Sequence, residues 1–169
     1  MAKTLNVAAL GFWHVHAGDY ARSAQKHPDT RLVAVWDDDA DRGQEGADQF
    51  GVEFIGDLDA LLARDDIDAV TITTSTDMHR EVMLRVAAAG KHIFTEKLLA
   101  PTVDEAEEIV RTADRYDVKL IVSLPPLYHG YTKAITDVLA SGKLGRLTYA
   151  RVRLSHAGAV KGWLPERSG

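Results

Sequence analysis

Gly11 and Asp37 are the residues whose types and spacing point most directly to chemistry. Gly11 follows an apolar run, Leu5 to Leu10, and opens the turn Gly11-Phe12-Trp13-His14-Val15-His16; Asp37 closes the next apolar run, 26 positions after Gly11. A glycine in that place lets the chain turn sharply off a strand, and the helix that follows points its unpaired N-terminal N–H groups at a pyrophosphate. An acid at the tip of the next strand then reaches ribose hydroxyls. The usual interval is about 20 residues, and a longer helix or turn absorbs the difference. The complete pattern carries three glycines, whereas here Trp13 and His16 fill the second and third places. Glycine after a strand is also ordinary turn chemistry, so Gly11 alone leaves both readings open.

His14 and His16 have the spacing of a metal-binding pair, but the sequence places no third ligand beside them and contains no cysteine, so no metal is assigned. Packing of the turn or contact with a cofactor is the expected use of both. Asp38 and Asp39 read as a helix cap and solvated first-turn charges.

The elements that must position these groups alternate regularly. Ala40 to Phe50 is helix-like, Glu53 to Ile55 a short strand, and Asp57 caps a helical turn bearing Leu58, Leu61 and Leu62. Asp68 to Thr74 is rich in β-branched residues. It leads into a helix with Val82, Met83, Val86 and Ala87 on one side and a left-handed stop at Gly90. His92 to Thr95 reads as the fifth strand. Thr102 and Glu105 form a capping box before Val103, Ala106, Ile109, Val110 and Ala113, and Val118 to Leu124 supplies a sixth strand. Such alternation predicts an α/β fold, a doubly wound parallel sheet with helices on both faces.

Pro125-Pro126 breaks the rhythm and predicts an extended corner and a boundary, with residues 1–124 as one domain and 125–169 as the incomplete start of a second, α+β domain. In the second segment Tyr131, Ile135, Val138 and Leu139 make a helical stripe closed by Gly142. Leu147 to Leu154 alternates as a half-exposed strand would, and Trp163-Leu164-Pro165 reads as a turn.

Composition narrows the partners. The chain is 46% hydrophobic and 27% charged, the balance of a globular protein, and its net charge of -5 argues against a nucleic-acid partner. No apolar run approaches the roughly 18 residues of a spanning helix, and Leu5 to Leu10 is too short for a secretory leader, so the expectation is a cytoplasmic protein with no membrane partner.

The tract AVTITTSTDMHREVMLRVAAAGKHIFTEKLLA, Ala69 to Ala100, resembles the middle of the Gfo/Idh/MocA family of dehydrogenases. The Thr73-Thr74 turn leading to His79, the Ala-Gly-Lys-His-Ile-Phe approach and Glu96-Lys97 stand in the family's order, and SGKLGRLTYARVRLSH is similar to its entry into the second half. The resemblance implies a Rossmann half joined to an open-sheet half, and hydride transfer between a nicotinamide cofactor, NAD in preference to NADP, and a hydroxyl of a sugar, cyclitol or polyol. It makes Lys97 the catalytic residue, beside the nicotinamide and the substrate hydroxyl.

The implied cofactor-binding set is Gly11, Phe12, Trp13, His14, Asp37, Thr73, Thr74, Ser75, His79 and Glu96, with Thr73 and Ser75 within reach of the nicotinamide ribose. His79 either lines the crevice or holds a helix start. Tyr128, His129 and His156 border the substrate pocket by the same resemblance, which also implies a homo-oligomer for a full-length form. Two positions depart from the family pattern. Leu98 stands where proline is usual, and Trp13 replaces a loop glycine. The family's later aspartate and histidine that face substrate have no counterpart here, so the expectation is a cofactor half without turnover of its own. A non-catalytic nucleotide-binding or sensing module is the alternative.

Overall fold

The computed structural model describes residues 3–153 and 155. Six strands form one parallel sheet in the order β3-β2-β1-β4-β5-β6: β1 (Leu5–Leu10), β2 (Thr30–Trp36), β3 (Glu53–Phe54), β4 (Ala69–Ile72), β5 (His92–Thr95) and β6 (Leu120–Val122). The doubly wound Rossmann-like fold expected from the alternation is therefore present. The central strand β4 is shorter than the Asp68–Thr74 run: Asp68 accepts the Asn6 N–H through its side chain, and Thr73 bonds to Leu10 and His14 beyond the strand's end.

Period-two alternation divides the core between the two faces. Ala8, Leu10, Trp36, Val70, Ile72 and Ile93 face one side. There they meet α3 (Leu58–Leu62), α4 (His79–Ala88) and α5 (Val103–Arg115) through Leu61, Met83, Val86 and Ile109. Ala9, Leu32 and Val35 face the other side, against Ala21 of α1 (Ala17–Lys26) and Ala47 and Phe50 of α2 (Ala40–Phe50). The α2 helix carries Gly43 and Gly46 despite a cost of about 1 kcal/mol for each glycine against alanine. A Cβ at Gly43 would stand 2.3 Å from the Phe54 ring and 2.9 Å from Asp37, and one at Gly46 would stand 2.9 Å from the Phe12 ring. The helix thus lies close against the ends of β1 and β2.

Local chemistry stops these helices where it was expected to. Asp39 accepts the Arg42 N–H at the start of α2, which ends at Gly51 with φ +66°; Asp57 caps α3. Thr102 Oγ1 accepts the Glu105 N–H at the start of α5 and donates to the Glu105 carboxylate, so one arm of the capping box is replaced by a side-chain pair.

The segment after β6 departs from expectation. Pro125-Pro126 does not make an extended corner but opens the short helix α6 (Pro125–Tyr128), since a helix's first turn needs no N–H and proline's fixed φ suits it. The α7 helix (Gly130–Ala140) follows, with Gly142 at φ +69° closing it. Its stripe of Tyr131, Ile135, Val138 and Leu139 lies exposed, and so does an apolar groove on the α1 side of the sheet lined by Tyr20, Ala24, Thr71, Phe94 and Ile121. Residues 147–153 form no strand, and no strand among the described residues pairs with them; Leu154, His156 and the Trp163-Leu164-Pro165 turn lie outside the described residues.

Met83→Ala removes a fully buried side chain between α4 and the sheet and should cost about 2–5 kcal/mol, whereas Thr102→Ala should cost about 1 kcal/mol. Urea unfolding followed by circular dichroism measures both, and an equal effect of the two would contradict this placement of the core.

Candidate active site

Gly11 holds β1's exit against the exit of β4. Its φ is +86°, and a Cβ there would stand 2.7 Å from the Thr74 nitrogen and 2.8 Å from Thr74 Cγ2, so both the conformation and the space require glycine. Thr73 binds the same turn three times. Its N–H donates to the Leu10 carbonyl at 2.8 Å, its carbonyl accepts the His14 N–H at 3.0 Å, and its hydroxyl donates to the Gly11 carbonyl. The two loops leave the carboxyl ends of β1 and β4, where the sheet order reverses direction, the crevice in which open α/β sheets receive ligands. Thr74 Oγ1 is buried there without a hydrogen-bond partner among the described residues.

Asp37, just past β2, fastens the turn from one side. Its Oδ2 accepts the Phe12 N–H at 2.6 Å and Arg42 Nε at 3.0 Å, while Oδ1 accepts the Asp39 N–H at 2.9 Å and Arg42 Nη2 at 2.6 Å. The carboxylate side chain is 0% exposed. Arg42 also reaches Asp38 at 2.8 Å and Asp39 at 3.9 Å, so one guanidinium is shared among three acids. Burial works against its charge, but Asp37 and its neighbours prevail and raise the Arg42 pKa.

From below, Glu96 gathers the histidines. It follows β5, is 2% exposed, and its N–H donates to the Ile72 carbonyl at 3.0 Å. A carboxylate only accepts, so His16 Nδ1–H donates to Oε1 at 2.8 Å and the Tyr20 hydroxyl donates to Oε2 at 2.7 Å. With its proton so used, Tyr20 accepts from Ser123 Oγ at 2.7 Å. His14 Nδ1 lies 3.8 Å from Oε1 and accepts the His16 N–H at 3.2 Å, which places the proton of a neutral ring on Nε2. Burial pushes the His14 imidazole down to about 4, against the pull of Glu96. Burial also opposes the Glu96 charge, yet the Tyr20 and His16 bonds and the two imidazoles outweigh it, and the carboxyl sits below its ordinary value. Tyr20 is pushed up by burial.

Lys97 is half-buried at the same carboxyl edge, close enough for its charge to lower the His14 pKa further. The Lys97–Leu98 peptide is cis, and the Leu98 carbonyl accepts from His79 Nδ1 at 2.7 Å. His79 is 1% exposed, so it does not face the open crevice but ties the backbone that follows Lys97. A histidine on α4 thereby fixes the segment where Leu98 stands in proline's usual place.

The expected residues thus gather at one edge of the sheet in different roles. Gly11, Thr73 and Thr74 are buried where the loops after β1 and β4 meet, while Trp13, Ser75 and Lys97 are half-buried on the loops that leave β1, β4 and β5. Phe12 packs instead on Phe50, with ring centroids 6.0 Å apart, while His14 and Glu96 turn inward toward each other. Tyr128 and His129 lie exposed on α6 and beyond it. Sequence reasoning missed Tyr20 and Ser123, although Tyr20 lies four residues after His16, one helical turn on. The glycines at 43 and 46 also carried a signal, being two costly residues on one helix face.

Comparison with known proteins bears on the family and the fold. The family model described as "Oxidoreductase family, NAD-binding Rossmann fold" (Gfo/Idh/MocA) matches residues 5–124. The dTDP-3,4-didehydro-2,6-dideoxy-alpha-D-glucose 3-reductase of Streptomyces antibioticus is 33% identical over 121 residues, covering 72% of this chain and 37% of that protein. A crystal structure of a variant of KijD10, a 3-ketoreductase from Actinomadura kijaniata, in complex with TDP-benzene and NADP, superposes with a TM-score of 0.75 at 27% identity over 86% of this chain and 45% of that one. GenD2 from gentamicin A biosynthesis, in complex with NAD, gives a TM-score of 0.77 at 26% identity over 85% of this chain and 41% of that one. The chain spans less than half the length of these relatives. No helix among the described residues is long and apolar enough to cross a membrane.

Gly11→Ala forces a methyl group onto the Thr74 backbone and should destabilise the fold by about 1–3 kcal/mol, read from the urea midpoint. Gly18→Ala, with open space around the new Cβ, is the matched control, and a loss as large there would refute the close approach as the cause.

Proposed function

The chain belongs to the Gfo/Idh/MocA oxidoreductase family with an NAD-binding Rossmann fold, and on that premise we propose that it forms the cofactor half of a dehydrogenase acting on a sugar, cyclitol or related polyol. One observation carries the reading: the Gly11 turn and the unpartnered Thr74 hydroxyl meet at the carboxyl ends of β1 and β4, where the strand order reverses, and Lys97 follows the neighbouring strand β5. These residues fit a dinucleotide. The Gly11 turn brings the loops after β1 and β4 into contact, and Thr74 Oγ1 has hydrogen-bonding capacity to offer a bound group.

When bound, a nicotinamide supplies or accepts the hydride. The protein's part is to hold and polarise the other reactant. Lys97 Nζ donates a hydrogen bond to the substrate oxygen, and its positive charge stabilises that oxygen as it becomes alkoxide-like. His79 acts on Lys97 from behind, as an anchor for the following peptide. Ser75, half-buried just past β4, keeps its hydroxyl for a ribose, whereas the expected Thr73 hydroxyl is buried and spent on the Gly11 carbonyl. The sugar-type substrate is argued from relatives such as the S. antibioticus sugar 3-reductase and from the inositol 2-dehydrogenase of Rhizobium meliloti.

Asp37, Asp38 and Asp39 at the end of β2 favour NAD over NADP. A 2′-phosphate would add like charge beside them, about 4 kcal/mol per unit pair at 4 Å with an effective dielectric of 20. Arg42, the neighbour able to pair with that phosphate, is already held by all three acids. NADH should therefore bind at least tenfold more tightly than NADPH in a calorimetric titration of the chain. It should stabilise the fold by about 2.7 kcal/mol at 100 times its dissociation constant. Equal or tighter NADPH binding would overturn the preference, and the absence of binding by either would overturn the cofactor half.

A further inference from the structure

His14, His16 and Glu96 bring three donor atoms within 4.8 Å of one another, two of the three residues being buried and the third half-buried. They come from the turn after β1 and from the end of β5, and they supply the third group that the sequence did not place beside the two histidines. We propose that this cluster is a binding site for a divalent transition-metal ion of the zinc class, with His14, His16 and Glu96 as ligands and a fourth position open.

The donor set suits the ion. Two imidazoles and one carboxylate make a recurring zinc triad, and ligands about 2.0–2.2 Å from a tetrahedral centre lie ~3.3 Å apart. The observed separations straddle that value. His16 Nδ1 is 2.8 Å from Glu96 Oε1 and His14 Nδ1 is 3.8 Å from it. The shorter contact is bridged by a proton on His16, which an ion would displace. The longer one sets the Nδ1 lone pair of a neutral ring beside a carboxylate oxygen, with no hydrogen between them.

The surrounding groups also fit. Tyr20 donates to the other Glu96 oxygen and is itself held by Ser123, the outer hydrogen bonding that orients a ligating carboxylate. His14 gives up only a 3.2 Å bond from the His16 N–H. The Lys97 ammonium is a nearby charge that opposes a cation, and the Glu96 carboxylate supplies the negative charge that attracts one. His16 is the half-exposed member, so an ion enters from its side.

The tag-free 169-residue chain titrated calorimetrically with ZnCl2 should bind one ion, and CoCl2 should give the visible absorption of a tetrahedral complex. His16→Ala, on the exposed side of the cluster, should abolish the cobalt bands and weaken zinc at least 100-fold while the far-ultraviolet circular dichroism stays unchanged. Tyr20→Phe, which keeps all three ligands, should weaken zinc by about 10–100-fold, the usual cost of losing an outer hydrogen bond. No binding at 100-fold molar excess of zinc, or binding that His16→Ala leaves intact, would show that the cluster is a hydrogen-bond network only. Neither titration contains a nucleotide, so its outcome is independent of the cofactor reading.

Discussion

The close approach of Gly11 to Thr74 is the constraint on which the carboxyl edge depends. A chain leaving β1 with any side chain at that position would be pushed off the end of β4, and the bonds from Thr73 to Leu10, Gly11 and His14 would open with it. Those bonds make the two loops one unit, so the path of the His14-Val15-His16 segment is set by β4 as much as by β1. Only with that path set do the histidines meet Glu96 at the end of the next strand.

Two buried carboxylates then divide the electrostatic work. Asp37 and Glu96 sit on opposite sides of the same turn, and each is surrounded by donors. Burying a charge is tolerable only when it is paired and hydrogen-bonded, and both satisfy this, Asp37 through two backbone N–H groups and Arg42, Glu96 through its own side-chain partners. Their roles differ because their partners differ. The Asp37 partners are two backbone N–H groups and a guanidinium that stays charged, which makes it a fixture of the loop. The Glu96 partners are titratable side chains, which makes its surroundings responsive to what binds.

Much of this was legible in the residues. Apolar runs and capping residues gave the strand and helix order, since both act over a few positions, and Gly11 with Asp37 marked the crevice. What could not be read were relations between remote segments. The pairing of His16 with Glu96 requires β1 and β5 to end at the same level, and Arg42 turning toward Asp37 rather than solvent depends on how closely α2 lies against β2. Pro125-Pro126 misled for another reason. Proline excludes a central strand but is equally at home in an extended corner and in the first turn of a helix, and only the residues after it decide which forms.

The spans that close the crevice have a consequence for how the molecule comes into being. Thr73 meets Gly11 across 62 positions, Glu96 meets His16 across 80, and Ser123 meets Tyr20 across 103. A chain emerging from its N-terminus therefore carries β1 and its histidine turn long before β4, β5 and β6 exist to complete them. Until then this central strand of the sheet lacks one neighbour, and its loop lacks the threonine that shapes it. Parallel sheets built from such distant pairings fold slowly and leave strand edges exposed meanwhile. The crevice is thus the last part of the domain to acquire its form, and the interval before Thr73 arrives is when the nascent chain is most open to association with others.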